Sequence, residues 1–194
     1  IYDIIVSDLY EDAYARQLET PEKYKGKNIA EGLEKLLFHC PHCSGIETLY
    51  SEGDTVFCKK CKKSFKYNQY GMIEGLKFKT VKELSDWQKS KVEKDFREGK
   101  KYFTDNVSLS TVKNHIETQV ATGEFSMTPQ SIRCGSLEIS MQDISDFAMH
   151  GQNALVFSVG KDYYEALTPK DSNALKFMLY FKCFENKMLT EAVD

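Results

Sequence analysis

The chain has 194 residues, of which 41% are apolar and 28% are charged, a balance typical of a globular chain of one or two domains. No apolar run approaches the roughly 18 residues that a membrane-spanning helix needs, so we expect no such span. The formal net charge of −3 lacks the basic excess of a dedicated nucleic-acid-binding protein, although local charge can still matter.

Residues 1–39 are acidic, with eight acids against five bases, and carry helical periodicity. Ile5, Leu9 and Ala13 repeat at helical spacing within Ile1 to Gln17. Asn28 and Glu31 have the spacing of a capping box and predict a second, short helix whose apolar face comprises Ile29, Leu33, Leu36 and Leu37. The chain starts at Ile1 without a basic-then-apolar leader, so we interpret this block as a helical lead-in, the tail of an upstream domain in a longer polypeptide.

Residues 40–71 change to short β-prone runs bracketed by cysteine pairs. The runs are Ile46 to Ser51, Thr55 to Phe57 and Ser64 to Tyr70, and a Glu-Gly-Asp turn centred on Gly53 joins the first two. This pattern predicts a small antiparallel sheet.

Residues 72–106 return to helical periodicity and predict a solvated connecting helix. Thr80 and Glu83 have the spacing of a capping box, and Gly99 is a plausible stop. Nine bases against seven acids cover the surface outside the apolar face.

Residues 107–194 alternate apolar and polar side chains, with turn residues between the runs. We predict seven short strands, followed after Pro169 by a last helix that ends near Phe184. Seven antiparallel strands closed by a C-terminal helix is the order of a pleckstrin-homology-like (PH-like) or GRAM-like barrel. The expected fold class is therefore α+β: a helical lead-in (1–39), a zinc ribbon (40–71), a connecting helix (72–106) and a PH-like β domain (107–194).

Two C-x2-C pairs are the most specific motif in the chain. Cys40 and Cys43 are followed, after fourteen intervening residues, by Cys58 and Cys61. Each pair makes a tight knuckle, and four thiolates in tetrahedral geometry suit one zinc ion. Because cysteine fills all four positions, we expect a structural metal rather than a catalytic one. Two disulfides, unmetallated thiols and a rubredoxin-like iron site are the alternatives.

The other cysteines and histidines have no sequence partner that suggests catalysis. Cys134 and Cys183 fall at core-facing positions, where cysteine is usually an apolar filler. We interpret the four histidines as ordinary residues rather than ligands or bases: His39, His42, His115 and His150. The sequence also lacks G-x-G, phosphate-loop and G-x-S-x-G motifs, so we predict no catalytic residue.

A basic cluster surrounds the second cysteine pair and is interleaved with aromatic residues. Residues 40–71 hold five bases against three acids, and all five bases are lysines: Lys59, Lys60, Lys62, Lys63 and Lys66. Such a cluster can contact phosphates of nucleic acid or an anionic lipid surface. It is also compatible with a solvated ribbon face.

Four segments of the chain resemble a known family. They are Asp8-Leu-Tyr-Glu-Asp-Ala-Tyr, Lys23-Tyr-Lys-Gly-Lys-Asn-Ile-Ala-Glu-Gly-Leu-Glu, Cys40-Pro-His-Cys, and Leu49-Tyr-Ser-Glu-Gly-Asp-Thr with Cys58 and Cys61. They resemble the C-terminal region of bacterial lysophospholipid (1-acyl-glycerol-3-phosphate) acyltransferases that carry a zinc ribbon after the catalytic domain. The resemblance is closest over residues 8–75. It implies the four cysteine zinc ligands and no other residue role.

The family's catalytic H-x4-D motif is missing, because no histidine here is followed five residues later by aspartate. We therefore expect a non-catalytic accessory region of a phospholipid-synthesis acyltransferase, with one structural zinc per chain and a docking or regulatory β domain. Its partners would be the upstream catalytic domain and an anionic membrane surface on the cytoplasmic side, with nucleic acid a weaker expectation. The alternative is an independent zinc-ribbon adaptor that binds nucleic acid or protein.

Overall fold

The computed structural model describes residues 2, 4–5, 11–114 and 116–191, and its fold is α+β. Within the described part of the chain, two antiparallel sheets, of four and seven strands, are accompanied by four helices with assigned bounds. Among these described residues, no helix combines the length and the apolar character needed to cross a bilayer.

The first two helices are short. Helix α1 covers Ala13–Glu19, and the Asp12 carboxylate caps it by accepting a hydrogen bond from the Tyr14 N–H at 3.0 Å. Of the predicted apolar repeat, Leu9 lies outside the described residues, Ala13 is the first residue of α1, and Ile5 is helical but 49% exposed.

The predicted capping box at Asn28 is wrong. Asn28 has a φ of +56° and lies in a turn, and helix α2 covers only Leu33–Leu36. Leu36, which was expected on the buried face, is 53% exposed. The reason is that Ala30 N–H bonds to the Gly53 carbonyl at 3.2 Å, so the ribbon holds this segment as a chain of turns.

The four-stranded sheet, the ribbon, contains β1 (Leu49–Glu52), β2 (Thr55–Cys58), β3 (Ser64–Tyr67) and β4 (Ile73–Glu74), in that spatial order. The predicted hairpin turn is confirmed: Gly53 adopts a φ of +61° between β1 and β2. Strand β1 starts three residues later than predicted, because Glu47 has a φ of +53° and interrupts the extended run. Strand β4 was not predicted.

Helix α3 covers Val81–Arg97, and its predicted boundaries are confirmed. The Thr80 hydroxyl accepts a hydrogen bond from the Glu83 N–H at 3.1 Å, and Gly99 follows the helix with a φ of +70°. The helix is more than a solvated connector, because Gln88 and Asp95 are buried along with its apolar face.

The seven-stranded sheet contains β5 (Tyr102–Lys113), β6 (Ile116–Met127), β7 (Ser131–Cys134), β8 (Leu137–Ser140), β9 (Ile144–His150), β10 (Ala154–Val159) and β11 (Asp162–Leu167). A 3₁₀ turn, Met141–Asp143, precedes β9. The predicted number of strands is confirmed, but their division is not. Strand β5, which begins before the expected boundary at 107, was not among the predicted runs. The alternating runs at Ile116 to Val120 and at Phe125 to Met127, predicted as two strands, form the single strand β6, so the two differences cancel in the count.

The spatial order of this sheet is β8-β7-β6-β5-β11-β10-β9, with every neighbouring pair antiparallel. The first and last strands of this sheet in chain order, β5 and β11, pair with each other at its centre. Strands β8 and β9 are the two edges of the sheet and do not pair with each other among the described residues. The predicted closed barrel is therefore not found in that part of the chain.

Helix α4 covers Leu175–Glu191 and lies against the seven-stranded sheet, longer than predicted at its C-terminal end. Phe177 and Phe181 are buried, and Phe125 of β6 meets Phe177 edge-to-face with ring centroids 5.0 Å apart. Two apolar clusters result, one under this sheet and one under the ribbon. Helix α3 contributes Leu84 to the ribbon cluster and Val92 to the other, so it joins the two.

Candidate metal centre

The four paired cysteines meet at one point of the ribbon. The sulfurs of Cys40, Cys43, Cys58 and Cys61 all lie within 4.8 Å of one another. Two Sγ–Sγ distances, Cys40 to Cys61 and Cys43 to Cys58, are both 3.8 Å. The predicted ligand residues are therefore together, in a group that could hold a metal ion.

The two knuckles have the same backbone hydrogen bonds, which explains why both aim their sulfurs at one point. In the first, Ser44 N–H donates to the Cys40 carbonyl at 2.8 Å; in the second, Lys62 N–H donates to the Cys58 carbonyl at 3.0 Å. Ser44 and Lys62 both have positive φ, 55° and 61°. Cys40 N–H and Cys58 N–H then each bond to a carbonyl five residues later, at 2.9 Å in both knuckles.

The spacing of the sulfurs fits a tetrahedral metal. An ion about 2.3 Å from each of four sulfurs at tetrahedral angles separates neighbouring sulfurs by about 3.8 Å. Four thiolates are soft donors, which favours zinc or iron over magnesium or calcium. Cysteines supply all four positions, so the group leaves no open position for water or a substrate.

The thiols differ in acidity. Burial raises the pKa of the Cys40 thiol to about 12. Burial also opposes ionisation of Cys58, but the Cys61 N–H and the Thr48 hydroxyl outweigh it and lower the pKa of Cys58 to about 6. Four adjacent thiolates repel one another unless a cation lies between them, so metal binding must release protons from this group.

The histidines beside the first knuckle have no place among these ligands. His42 is exposed. His39 is 1% exposed, and its Nε2 lies 3.1 Å from the Tyr102 hydroxyl, while its Nδ1 is buried without a hydrogen-bond partner among the described residues. His39 therefore joins the ribbon to β5.

The remaining candidate residues are ordinary where the structure describes them. Cys134 is buried in the sheet core, and Cys183 of α4 is half-buried, with its S–H donating to the Leu179 carbonyl at 3.3 Å. Burial raises the pKa of Cys183 to about 11. His150 is exposed, with Nδ1 3.5 Å from a Glu165 oxygen. His115 lies outside the described residues.

All five lysines of the basic cluster are exposed, and none lies within 4.0 Å of a carboxylate of the described residues. They fall into three groups. Lys60, Lys62 and Lys63 belong to the second knuckle, which we call the basic knuckle. Lys59 lines a cavity between the ribbon and the larger sheet, and Lys66 lines another beside Lys23 and Tyr70.

The polar contacts that join the ribbon to the rest of the molecule were not predicted from the sequence. Lys176 is 1% exposed, and its Nζ donates to Glu47 at 2.5 Å and to the Phe103 carbonyl at 2.7 Å. The other Glu47 oxygen accepts the Asn173 N–H at 2.5 Å and the Ser172 hydroxyl at 3.0 Å. Nothing in the sequence pairs residues 47 and 176; the only local signal is a lysine on the apolar face of α4.

These features define a chain in which a ribbon with four cysteines that could hold a metal ion lies beside a seven-stranded antiparallel sheet. Comparison with known protein families, curated proteins and solved structures gives no significant match.

Proposed function

We propose that this chain is a non-catalytic docking region in which a structural zinc ribbon carries a PH-like β domain. The observation that carries the proposal is the closed group of four cysteine sulfurs, which has the spacing for a tetrahedral ion and no position left for a substrate. The Glu47–Lys176 pair supports a joint role for the two parts, because it anchors the ribbon to α4.

The strand order supports the PH-like assignment. Counted from β5 as strand one, the sheet has the order 4-3-2-1-7-6-5, and α4 packs against it at the C-terminal end of the chain. The chain therefore runs from β5 at the centre to β8 at one edge. It continues through the 3₁₀ turn to β9 at the other edge and returns to the centre with β11. A docking role for this domain is part of the proposal.

Metal analysis tests the ribbon. We expect one zinc per chain in protein purified without chelators, and a colourless solution, since four-cysteine iron would absorb visible light. Cys61→Ser should lose the metal, whereas Cys183→Ser, which removes a thiol remote from the group, should retain it. Protein that contains neither zinc nor iron would contradict the assignment.

For the basic knuckle we propose weak attachment to an anionic membrane surface. Its lysines are exposed and unpaired with any described carboxylate, and each base near such a surface contributes about 1 kcal/mol. The attraction decays over about 8 Å at physiological salt, so only a face held against the membrane contributes.

Vesicle binding tests this attachment. We expect salt-sensitive binding to vesicles containing anionic lipid and none to neutral vesicles. Lys62→Glu with Lys63→Glu should reduce binding, whereas Lys161→Glu with Lys182→Glu, the same charge change at exposed positions elsewhere, should reduce it less. Equal binding to both vesicle types would contradict the proposal, and tighter binding to single-stranded oligonucleotides would favour the nucleic-acid adaptor.

We further propose that the region works beside an acyltransferase domain, and this part rests on the sequence resemblance alone. Because the family's H-x4-D motif is missing, the chain by itself should show only background activity with lysophosphatidate and an acyl thioester. Turnover that survives repurification and scales with protein concentration would contradict the assignment.

A further inference from the structure

A cavity of about 450 Å³ lies where the ribbon meets the domain formed by the larger sheet and α4. Leu49, Tyr50 and Lys59 line it from the ribbon, and Met149 and Leu175 line it from the other side. Its volume falls within the roughly 300–1,000 Å³ of small-molecule sites, which occur preferentially between domains.

Part of the cavity wall is apolar and open to solvent. Leu49 is buried at the base, whereas Leu36 and Tyr50 are 53% and 39% exposed. The Tyr50 ring stacks on Phe57 with centroids 5.4 Å apart, which fixes it in place. Exposed apolar side chains on a concave wall favour a ligand with an apolar part.

Three lysines line the same cavity: Lys35, Lys59 and Lys170. All three are exposed, and none lies within 4.0 Å of a described carboxylate. Lys59 also continues into the basic knuckle, and its Nζ lies 5.9 Å from the centre of the Tyr50 ring. Positive charge and apolar surface therefore adjoin at this end of the cavity.

The acids of the lining leave a positive excess. Glu47 is neutralised by Lys176, and both its oxygens accept hydrogen bonds from protein groups. Glu34 accepts from the Ser51 hydroxyl, and Asp171 is exposed. With the Glu47–Lys176 pair counted as neutral, three lysines face two carboxylates, which gives a net charge of +1.

We propose that this cavity binds a monomeric amphipathic anion, a single alkyl chain that ends in a phosphate or a carboxylate. The anionic head lies against Lys59, and the alkyl chain lies along Leu36 and Tyr50 towards Met149. This site goes beyond the docking role proposed above and does not depend on it, because a monomeric ligand needs no membrane surface.

Calorimetric titration with dodecyl phosphate, below the concentration at which it forms micelles, tests the proposal. We expect saturable binding of one molecule per chain and a shift of the Met149 methyl resonance. Inorganic phosphate, which lacks the tail, and dodecyltrimethylammonium, which reverses the head charge, should bind at least tenfold more weakly.

Two variants locate the site. Lys59→Gln should weaken binding roughly fivefold, whereas Lys63→Gln, the same change on the basic knuckle but outside the cavity lining, should leave it within twofold. Leu36→Gln should weaken binding without loss of folding, because Leu36 is already half-exposed. Equal binding of the cationic amphiphile, equal effects of the two lysine variants, or no saturable binding would each overturn the proposal. Loss of vesicle binding alone would overturn only the membrane attachment.

Discussion

Asp95 is the central residue of a buried polar chain between α3, β5 and the first knuckle. Its carboxylate accepts hydrogen bonds from the Tyr102 hydroxyl at 3.0 Å and from Lys100 Nζ at 2.6 Å, and Asp95 is 4% exposed. Burial opposes ionisation, but these two hydrogen bonds and the Lys100 charge outweigh it and hold the pKa of Asp95 below its usual value.

This shift predicts an acid-dependent contribution to stability. Because the folded pKa lies below the unfolded value of about 3.9, the contribution is present at neutral pH and is lost as the pH falls through the folded pKa. Asp95→Asn should therefore lower the free energy of unfolding by about 1–2 kcal/mol at pH 7, and the difference from the wild type should shrink below pH 4 or so.

Urea denaturation of the wild type and of Asp95→Asn, at pH 7 and again below about pH 4, measures this difference. Asp86→Asn is the control, because Asp86 has an exposed ion pair with Lys89 and should change stability by less than about 0.5 kcal/mol at either pH. A difference between Asp95→Asn and wild type that does not vary with pH would contradict the prediction.

At the scale of secondary-structure elements, Gln88 connects α3 to the segment that leads into the first knuckle. Its Oε1 accepts the N–H groups of Phe38 and His39 at 2.7 and 3.0 Å, and its Nε2 donates to the Leu36 carbonyl at 3.0 Å. Residues 36–39 lead from α2 into the first knuckle, and their only sheet-type pairing among the described residues is an isolated bridge between His39 and Ile46. One buried amide therefore supplies partners for three backbone groups.

Gln88→Leu should destabilise the protein by about 3 kcal/mol or more, because it leaves these buried backbone groups without partners. Chemical denaturation measures the loss. The neighbouring exposed position provides the control: Lys89→Ala should cost less than about 1 kcal/mol. A loss below about 1 kcal/mol for Gln88→Leu would mean that water or a shifted backbone replaces the amide.

At the scale of the whole molecule, two apolar clusters share one helix and several polar links. Phe38 lies two residues before the first knuckle but is buried in the cluster of the larger sheet. Leu84 of α3 is buried in the ribbon cluster. The parts therefore have separate interiors but are not independent of each other.

Removing the proposed zinc should unfold the ribbon first, because structural zinc contributes about 10–16 kcal/mol to small zinc domains. After chelation we expect amides of β2 and β3 to lose protection from hydrogen exchange, while amides of β10 and β11 keep theirs. The denaturation midpoint of the larger sheet should fall. In the unfolded ribbon, Glu47 no longer pairs with Lys176 of α4, and Phe38 no longer packs in the core of the larger sheet.

Restoration of protection by added zinc is the control for this experiment. Simultaneous loss of protection in both sheets would show that the molecule unfolds as one unit. Full protection in both sheets after complete metal removal would show that the four cysteines are not needed for the ribbon.

The sequence alone determined the features that depend on neighbours along the chain. The paired cysteines predicted the group of sulfurs that could hold a metal ion, Gly53 predicted the hairpin, Thr80 and Gly99 predicted the ends of α3, and alternation predicted that the C-terminal part forms antiparallel strands. In each case the cause is local: a turn conformation, a cap or the two-residue period of a strand.

Only the tertiary structure decided the features in which distant residues compete with local preference. The capping pattern at Asn28 yields to the bond between Ala30 and Gly53, and Glu47 adopts a positive φ. The pairing of β5 with β11 sets the centre of the larger sheet, and Lys176 is buried only because Glu47 reaches it across 129 positions of sequence. The cavity between ribbon and sheet has the same origin. Its walls come from segments far apart in sequence, whose approach depends on the packing of complete elements and not on any local pattern.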